Sequence, residues 1–152
     1  IQILKDYLED EFSNSSSTND FTFQTILSNY LKKYINDLTT ICKKAIATID
    51  NILLIEVSES ESCIFYHKTR ADYFRYIAEF NDGIEREDAI KKSELSYQTA
   101  LRVAQSNKNI KKSDPLYLGT ALNYSVCAFE FMKKRNEVIE FSDNVFKEAV
   151  KS

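Results

Sequence analysis

Four charged side chains recur at helical spacing between residues 62 and 81, and their types suit the binding of an anion. They are Lys68, Asp72, Arg75 and Glu79. Spacings of four, three and four residues place them in one narrow stripe of a helix whose remaining surface is apolar or aromatic. An ordinary surface helix shows the reverse proportions. Tyr76 borders the stripe with a phenol that can donate a hydrogen bond.

Spacing alone leaves two interpretations of this stripe open. In the first, it is a solvated face on which Lys68–Asp72 and Arg75–Glu79 form ion pairs, each contributing about 0.2–0.5 kcal/mol. In the second, Asp72 and Glu79 hold Arg75 rigid, so that its planar guanidinium is ready for an anion.

A second row of polar and aliphatic side chains follows Pro115. Gly119, Asn123, Val126 and Glu130 share one narrow helical face, with Leu122 beside it. The row has the composition of the wall of a peptide groove, because the Asn123 amide can pair with a peptide backbone whose polar groups must be satisfied. An ordinary surface row that happens to contain Val126 is the alternative.

Both rows depend on helices to position them. Apolar residues at three-to-four spacing predict helices over residues 1–12, 21–55, 62–81, 86–106, 115–133 and 136–150. Residues 13–20, "SNSSSTND", are predicted to form a polar loop, and Ser113 or Asp114 before Pro115 is a strong helix-start signal. We predict one all-α domain over residues 1–152, with about five full helices and one partial first helix.

Composition narrows the classes of protein that this chain can belong to. With two glycines and one proline in 152 residues, long helices joined by polar loops are favoured over hairpins. A net charge of −3 argues against a nucleic-acid partner, and the longest apolar run, residues 52–55, is too short to span a membrane. Three widely spaced cysteines predict buried, reduced thiols in a cytoplasmic protein.

The residues offer no set for catalysis. His67 is the only histidine, so a Ser–His–Asp or Cys–His arrangement has a single candidate base, which stands beside Lys68. Two glycines in total exclude a glycine-rich phosphate loop. We therefore expect no enzymatic activity, no cofactor and no metal site.

Four strings give the chain a family resemblance. They are "FYHKTRADYFRYIAEF" (65–80), "SYQTAL" (96–101), "DPLYLGTALNYSVCAFE" (114–130) and "FKEAV" (146–150). In order and spacing along most of the chain they resemble a 14-3-3 protein. The resemblance implies an antiparallel, TPR-like helical array and a dimeric adaptor that binds phosphoserine or phosphothreonine peptides in a groove.

The resemblance also implies roles for individual residues. Arg75 and Tyr76 would bind the phosphate, and Asn123 would hydrogen-bond the peptide main chain. The remaining groove positions would be Lys68, Leu122, Val126 and Glu130, with Asp72 and Glu79 supporting Arg75. On the long second helix, Tyr30, Lys33 and Asp37 match positions on the family's dimer side.

Departures from the family pattern lead us to expect an incomplete domain. The family completes its phosphate pocket with two cations on an upstream helix and its groove with a last, tryptophan-bearing helix, whereas this sequence has no Trp. We expect a homodimer or heterodimer when the protein is complete. A TPR-like interaction scaffold without phosphate dependence is the alternative, although no convincing 34-residue repeat is present in residues 21–110.

Overall fold

The computed structural model describes residues 18–56 and 61–152, and every regular element within these ranges is helical. Helix α1 spans Thr18–Thr48 and continues through a π-helical turn, Ile49–Leu53, into a short end, Leu54–Glu56. Four helices follow: α2 Glu61–Phe80, α3 Gly83–Ser106, α4 Pro115–Phe131 and α5 Arg135–Lys151. The predicted all-α class is confirmed.

Two helix starts differ from the predicted ones. Helix α1 begins at Thr18, so residues 18–20 of the predicted polar loop are helical, while residues 1–17 lie outside the described residues. Helix α3 begins at Gly83 rather than at residue 86. Gly83 adopts a φ of +60°, which lets the chain turn directly into the helix after a link of two residues.

The chain divides into two compact units, Ile1–Ile41 and Cys42–Ser152. In the first unit, exposed apolar side chains share one face of α1, which we call the α1 stripe. Its members are Phe23, Ile26, Tyr30, Tyr34 and Ile41, all between 51% and 59% exposed. The exposed residues Lys33 and Asp37 fall on the same side of the helix.

In the second unit, the order of the helices along the chain is also their order in space. Helix α2 packs most extensively on α3, α3 packs on α4, and α4 packs on α5. Because a two-residue link joins α2 to α3 along their extensive contact, the chain reverses direction between them. Helix α2 also contacts α4, and this contact brings the two predicted polar rows into one region.

Small buried residues allow these helices to approach closely. Ala71, Ser93 and Ala128 are completely buried, and the Ser93 hydroxyl donates to the Ala71 carbonyl oxygen at 2.9 Å. Larger buried side chains, among them Ile64 and Tyr117, fill the rest of the core. Cys42, Cys63 and Cys127 are buried and form no disulfide with one another, which confirms the predicted buried thiols.

Arg70 joins three helical segments on the other side of α2. Its Nε donates to Asp50 Oδ1 at 2.6 Å and its Nη1 to Ser96 Oγ at 2.6 Å. Asp50 lies in the π-helical turn and Ser96 in α3. The π-helical turn therefore places the Asp50 carboxylate against the guanidinium of Arg70, whose side chain is only 22% exposed.

Candidate functional site

The carboxylate of Asp72 is the meeting point of α2, α3 and α4. Lys68, one turn earlier on α2, donates from Nζ to Asp72 Oδ2 at 2.9 Å. Asn123 on α4 donates from Nδ2 to Asp72 Oδ1 at 2.9 Å, and the Tyr97 hydroxyl on α3 donates to the same oxygen. Since Asp72 is 14% exposed, this half-buried carboxylate is satisfied from three helices.

Arg75 lies one turn further along α2 and is held rather than freely solvated. Its side chain is 18% exposed, its Nη1 lies 3.7 Å from Glu79 Oε2, and its guanidinium carbon lies 4.7 Å from the centre of the Tyr76 ring. Burial lowers the pKa of Arg75, but hydrogen bonding to Tyr97 and the charges of its neighbours outweigh burial and raise it. Arg75 therefore stays cationic.

Both i,i+4 ion pairs of the charged stripe are present. Asp72 accepts hydrogen bonds from Lys68, Asn123 and Tyr97, and its charge raises the pKa of Arg75. Arg75 Nε is buried and has no hydrogen-bond partner among the described residues. The guanidinium as a whole is a planar donor on a side chain that is 18% exposed, and such a donor is suited to an oxyanion acceptor.

The side chains of the predicted row on α4 lie in two different environments, one next to α2 and one next to α5. Asn123 turns toward Asp72 on α2, and a Cβ placed on Gly119 would lie 4.0 Å from Lys68 Cε. Leu122, 63% exposed, instead lines a recess of about 390 Å³ between α4 and α5. Val126 and Glu130 line the neighbouring recess of about 400 Å³. The structure thus brings Asn123 to the charged network and places the two aliphatic side chains along the α4–α5 boundary.

Tyr97 is the residue of this network that the sequence predictions missed. It is completely buried, and burial raises its pKa, as does its hydrogen bond to Asp72. A phenol on the packed side of a helix needs a hydrogen-bond partner. That requirement was a signal for Tyr97, but its partner lies 25 residues away and could not be read from spacing.

The described residues contain neither a candidate metal site nor a candidate membrane-spanning helix. Between Thr18 and Ser152, leaving out the undescribed segments, no group of three or more His, Cys, Asp or Glu side chains could hold a metal ion. In the same part of the chain, every helix is too short or too polar to cross a bilayer.

Comparison with known proteins identifies the family of this chain. The 14-3-3 protein family model matches residues 1–152. The chain belongs to the 14-3-3 family.

Curated 14-3-3 relatives that match the chain include proteins from plants, a fungus and a fish. The chain is 35% identical over 124 residues to 14-3-3 protein 9 of Solanum lycopersicum, covering 82% of this chain and 47% of the relative. It is 37% identical over 123 residues to the 14-3-3-like protein GF14-G of Oryza sativa subsp. japonica, covering 81% and 47%. For 14-3-3 protein beta/alpha-1 of Oncorhynchus mykiss, identity is 32% over 127 residues, covering 84% and 51%. The chain spans about half the length of the relatives it matches.

Proposed function

We propose that this 14-3-3 protein is an adaptor that binds segments of partner proteins carrying phosphoserine or phosphothreonine, and that it performs no chemistry on them. Arg75 and Tyr76 would bind the phosphate, and Lys68 and Asn123 would hold the adjacent peptide. The observation that carries this proposal is the half-buried Arg75, whose guanidinium is kept cationic and whose Nε lacks a partner among the described residues.

The energetics are consistent with phosphate recognition. A phosphorylated side chain carries about −1.5 to −2 charges and three acceptor oxygens. Hydrogen bonds to charged groups contribute about 1.5–3 kcal/mol each, and arginine can make two in parallel. Asp72 and Glu79 oppose a dianion in the same region. Firm binding therefore requires further cations, which the family resemblance locates upstream of the region that Arg75 occupies.

The apolar part of the groove is proposed to come from Leu122 and Val126, with Glu130 at its edge. These side chains are exposed on α4, at 63% and 39% for the two aliphatic residues. Because they border the α4–α5 recesses, a bound peptide that reaches them would run along α4 away from Asn123. Their contribution would be to affinity for apolar peptide side chains rather than to phosphate selectivity.

We also propose that the protein dimerises, with itself or with a related chain, through the α1 stripe. Tyr30, Lys33 and Asp37 would be part of that contact. A contiguous row of exposed apolar side chains is typical of an interaction surface. A cytoplasmic location follows from the same adaptor role and is part of this proposal.

The phosphate proposal is tested by replacing Arg75 with alanine. Binding of a phosphoserine peptide and of its unphosphorylated twin is measured by titration in ¹H–¹⁵N NMR spectra, which detect weak binding. We expect Arg75→Ala to weaken phosphopeptide binding at least tenfold, about 1.4 kcal/mol, because it removes the guanidinium donors. The matched control is Arg102→Ala, an exposed arginine on α3.

Unchanged phosphopeptide affinity in Arg75→Ala would contradict the proposal. Equal affinity of the wild-type protein for the phosphorylated and unphosphorylated peptides would favour the alternative, an interaction scaffold without phosphate dependence. The observation that favours this alternative is the apolar pair of recesses between α4 and α5, which could hold a partner without any phosphate.

A further inference from the structure

The hydrogen bonds around Tyr97 have a fixed direction. An ionised carboxylate can only accept, so the Tyr97 hydroxyl must donate its single proton to Asp72 Oδ1. Arg75 lies one turn beyond Asp72 on α2, and Tyr97 and the charge of Asp72 both raise its pKa. The buried hydroxyl therefore fixes the carboxylate that lies next to the Arg75 cation along α2.

The same carboxylate determines how the Asn123 amide is turned. Its NH₂ group faces Asp72 Oδ1 at 2.9 Å, and the flipped amide would place its oxygen against a carboxylate oxygen. With one N–H used by Asp72, the amide keeps one N–H and its carbonyl oxygen. That remaining pair is complementary to the C=O and N–H of an extended peptide.

Lys68 completes the set on the other carboxylate oxygen. Its ammonium donates one hydrogen to Asp72 Oδ2 at 2.9 Å and keeps two for other acceptors. The side chain is 23% exposed, so only part of it meets solvent. Asp72 therefore orients two donors, Lys68 on α2 and Asn123 on α4, and Tyr97 anchors Asp72 to α3.

We propose that Tyr97 and Asp72 are positioning residues of the peptide groove, which never contact the peptide but fix the Arg75 guanidinium and the Asn123 amide for it. This inference rests on the proposed function. It assigns phosphate selectivity partly to a buried hydroxyl on α3, outside the groove positions themselves. Preorganised donors lose less conformational entropy on binding, which is the physical basis of the expected effect.

The test replaces Tyr97 with phenylalanine, which removes only the hydroxyl. We expect phosphopeptide affinity to fall about tenfold, because Arg75 and Asn123 are then less well ordered before the peptide binds, and affinity for the unphosphorylated twin to fall less. The control is Tyr117→Phe, a second buried tyrosine, 1% exposed, in the core formed by α2, α3, α4 and α5. It should change neither affinity.

A second readout does not depend on any peptide. In ¹⁵N spectra of the free protein, Tyr97→Phe should shift the Nε–H signal of Arg75 and the side-chain amide signals of Asn123, and Tyr117→Phe should leave them in place. A purely structural role for Tyr97 would lower stability without these selective shifts. Asp72→Asn, which keeps the side-chain volume and removes the charge, should shift the same signals even if Tyr97→Phe folds poorly.

The outcomes separate the two proposals. If Arg75→Ala weakens phosphopeptide binding while Tyr97→Phe and Asp72→Asn change neither the affinity ratio nor the signals, the positioning role is overturned and the proposed function stands. If Arg75→Ala leaves binding unchanged, the proposed function is overturned, and this inference fails with it.

Discussion

His67 on α2 is half-buried, and its Nδ1 has no hydrogen-bond partner among the described residues. Burial lowers the pKa of His67. The charges of Arg70 and Arg102 lower it further, while that of Asp50 opposes them. The folded protein therefore favours the neutral imidazole, and protonation of this side chain is easier in the unfolded chain. Protonation of this single side chain therefore makes the free energy of unfolding depend on pH in the mildly acidic range.

We expect this coupling to appear in the free energy of unfolding between pH 7.5 and 5.5. Because the folded-state pKa lies below the ordinary value of 6.5, the unfolded chain binds more protons as the pH falls below 6.5, and stability decreases. Urea unfolding should show a smaller decrease for His67→Gln than for the wild-type protein. Equal decreases in the two proteins would show that His67 does not contribute.

Residue types at the proposed phosphate-binding end of the site were predictable, and their partners were not. The stripe of Lys68, Asp72, Arg75 and Glu79 was visible because helical spacing is a local property, and both of its ion pairs form. The partners of Asp72 on α3 and α4 follow from helix packing, which spacing within α2 does not specify.

Helix starts show how local sequence positions whole elements. Asp114 precedes Pro115, and its Oδ1 accepts from the Leu116 N–H at 2.8 Å, so of the two predicted caps, Ser113 and Asp114, it is Asp114 that caps the helix. Asp82 precedes α3 in the same way but makes no side-chain capping bond. Comparing the two aspartates therefore separates the effect of a capping hydrogen bond from the effect of a negative charge near the start of a helix.

Replacing each aspartate with alanine should separate these effects. Asp114→Ala removes a hydrogen bond to an N–H at the start of α4 and should lower the free energy of unfolding by about 1 kcal/mol. Asp82→Ala should cost less, because only its charge near the helix start is lost. Chemical denaturation of both variants provides the measurement, and equal losses would rule out the capping bond as the cause.

At the scale of the whole molecule, the described residues include two sets of exposed apolar side chains. The α1 stripe lies in the first unit, and the α4–α5 recesses with Leu122 lie in the second. Side chains such as Tyr34, 57% exposed, leave apolar area in water, and contact with another chain would remove that cost.

If the α1 stripe joins two copies, a charge within it should separate them. Tyr34→Glu places a carboxylate in the stripe of both partners, so we expect the dimer dissociation constant to rise at least tenfold. Sedimentation velocity over a range of protein concentrations measures this shift. The control is Ile84→Glu, which alters an isolated side chain, 88% exposed, at the start of α3. Unchanged self-association in Tyr34→Glu would exclude the stripe as the interface.

The sequence by itself determined the helical elements, the charged stripe around Arg75, a helix start at Pro115 and the burial of the cysteines. Each of these follows from residue type and from spacing of a few positions, and both are properties of a short segment. Only the structure decided that Asp114 rather than Ser113 is the cap, that Tyr97 and Asn123 both bind Asp72, and that Leu122 and Val126 lie apart from Asn123. These contacts depend on the rotation and offset of one packed helix against another, which are set by the side chains of the whole core together.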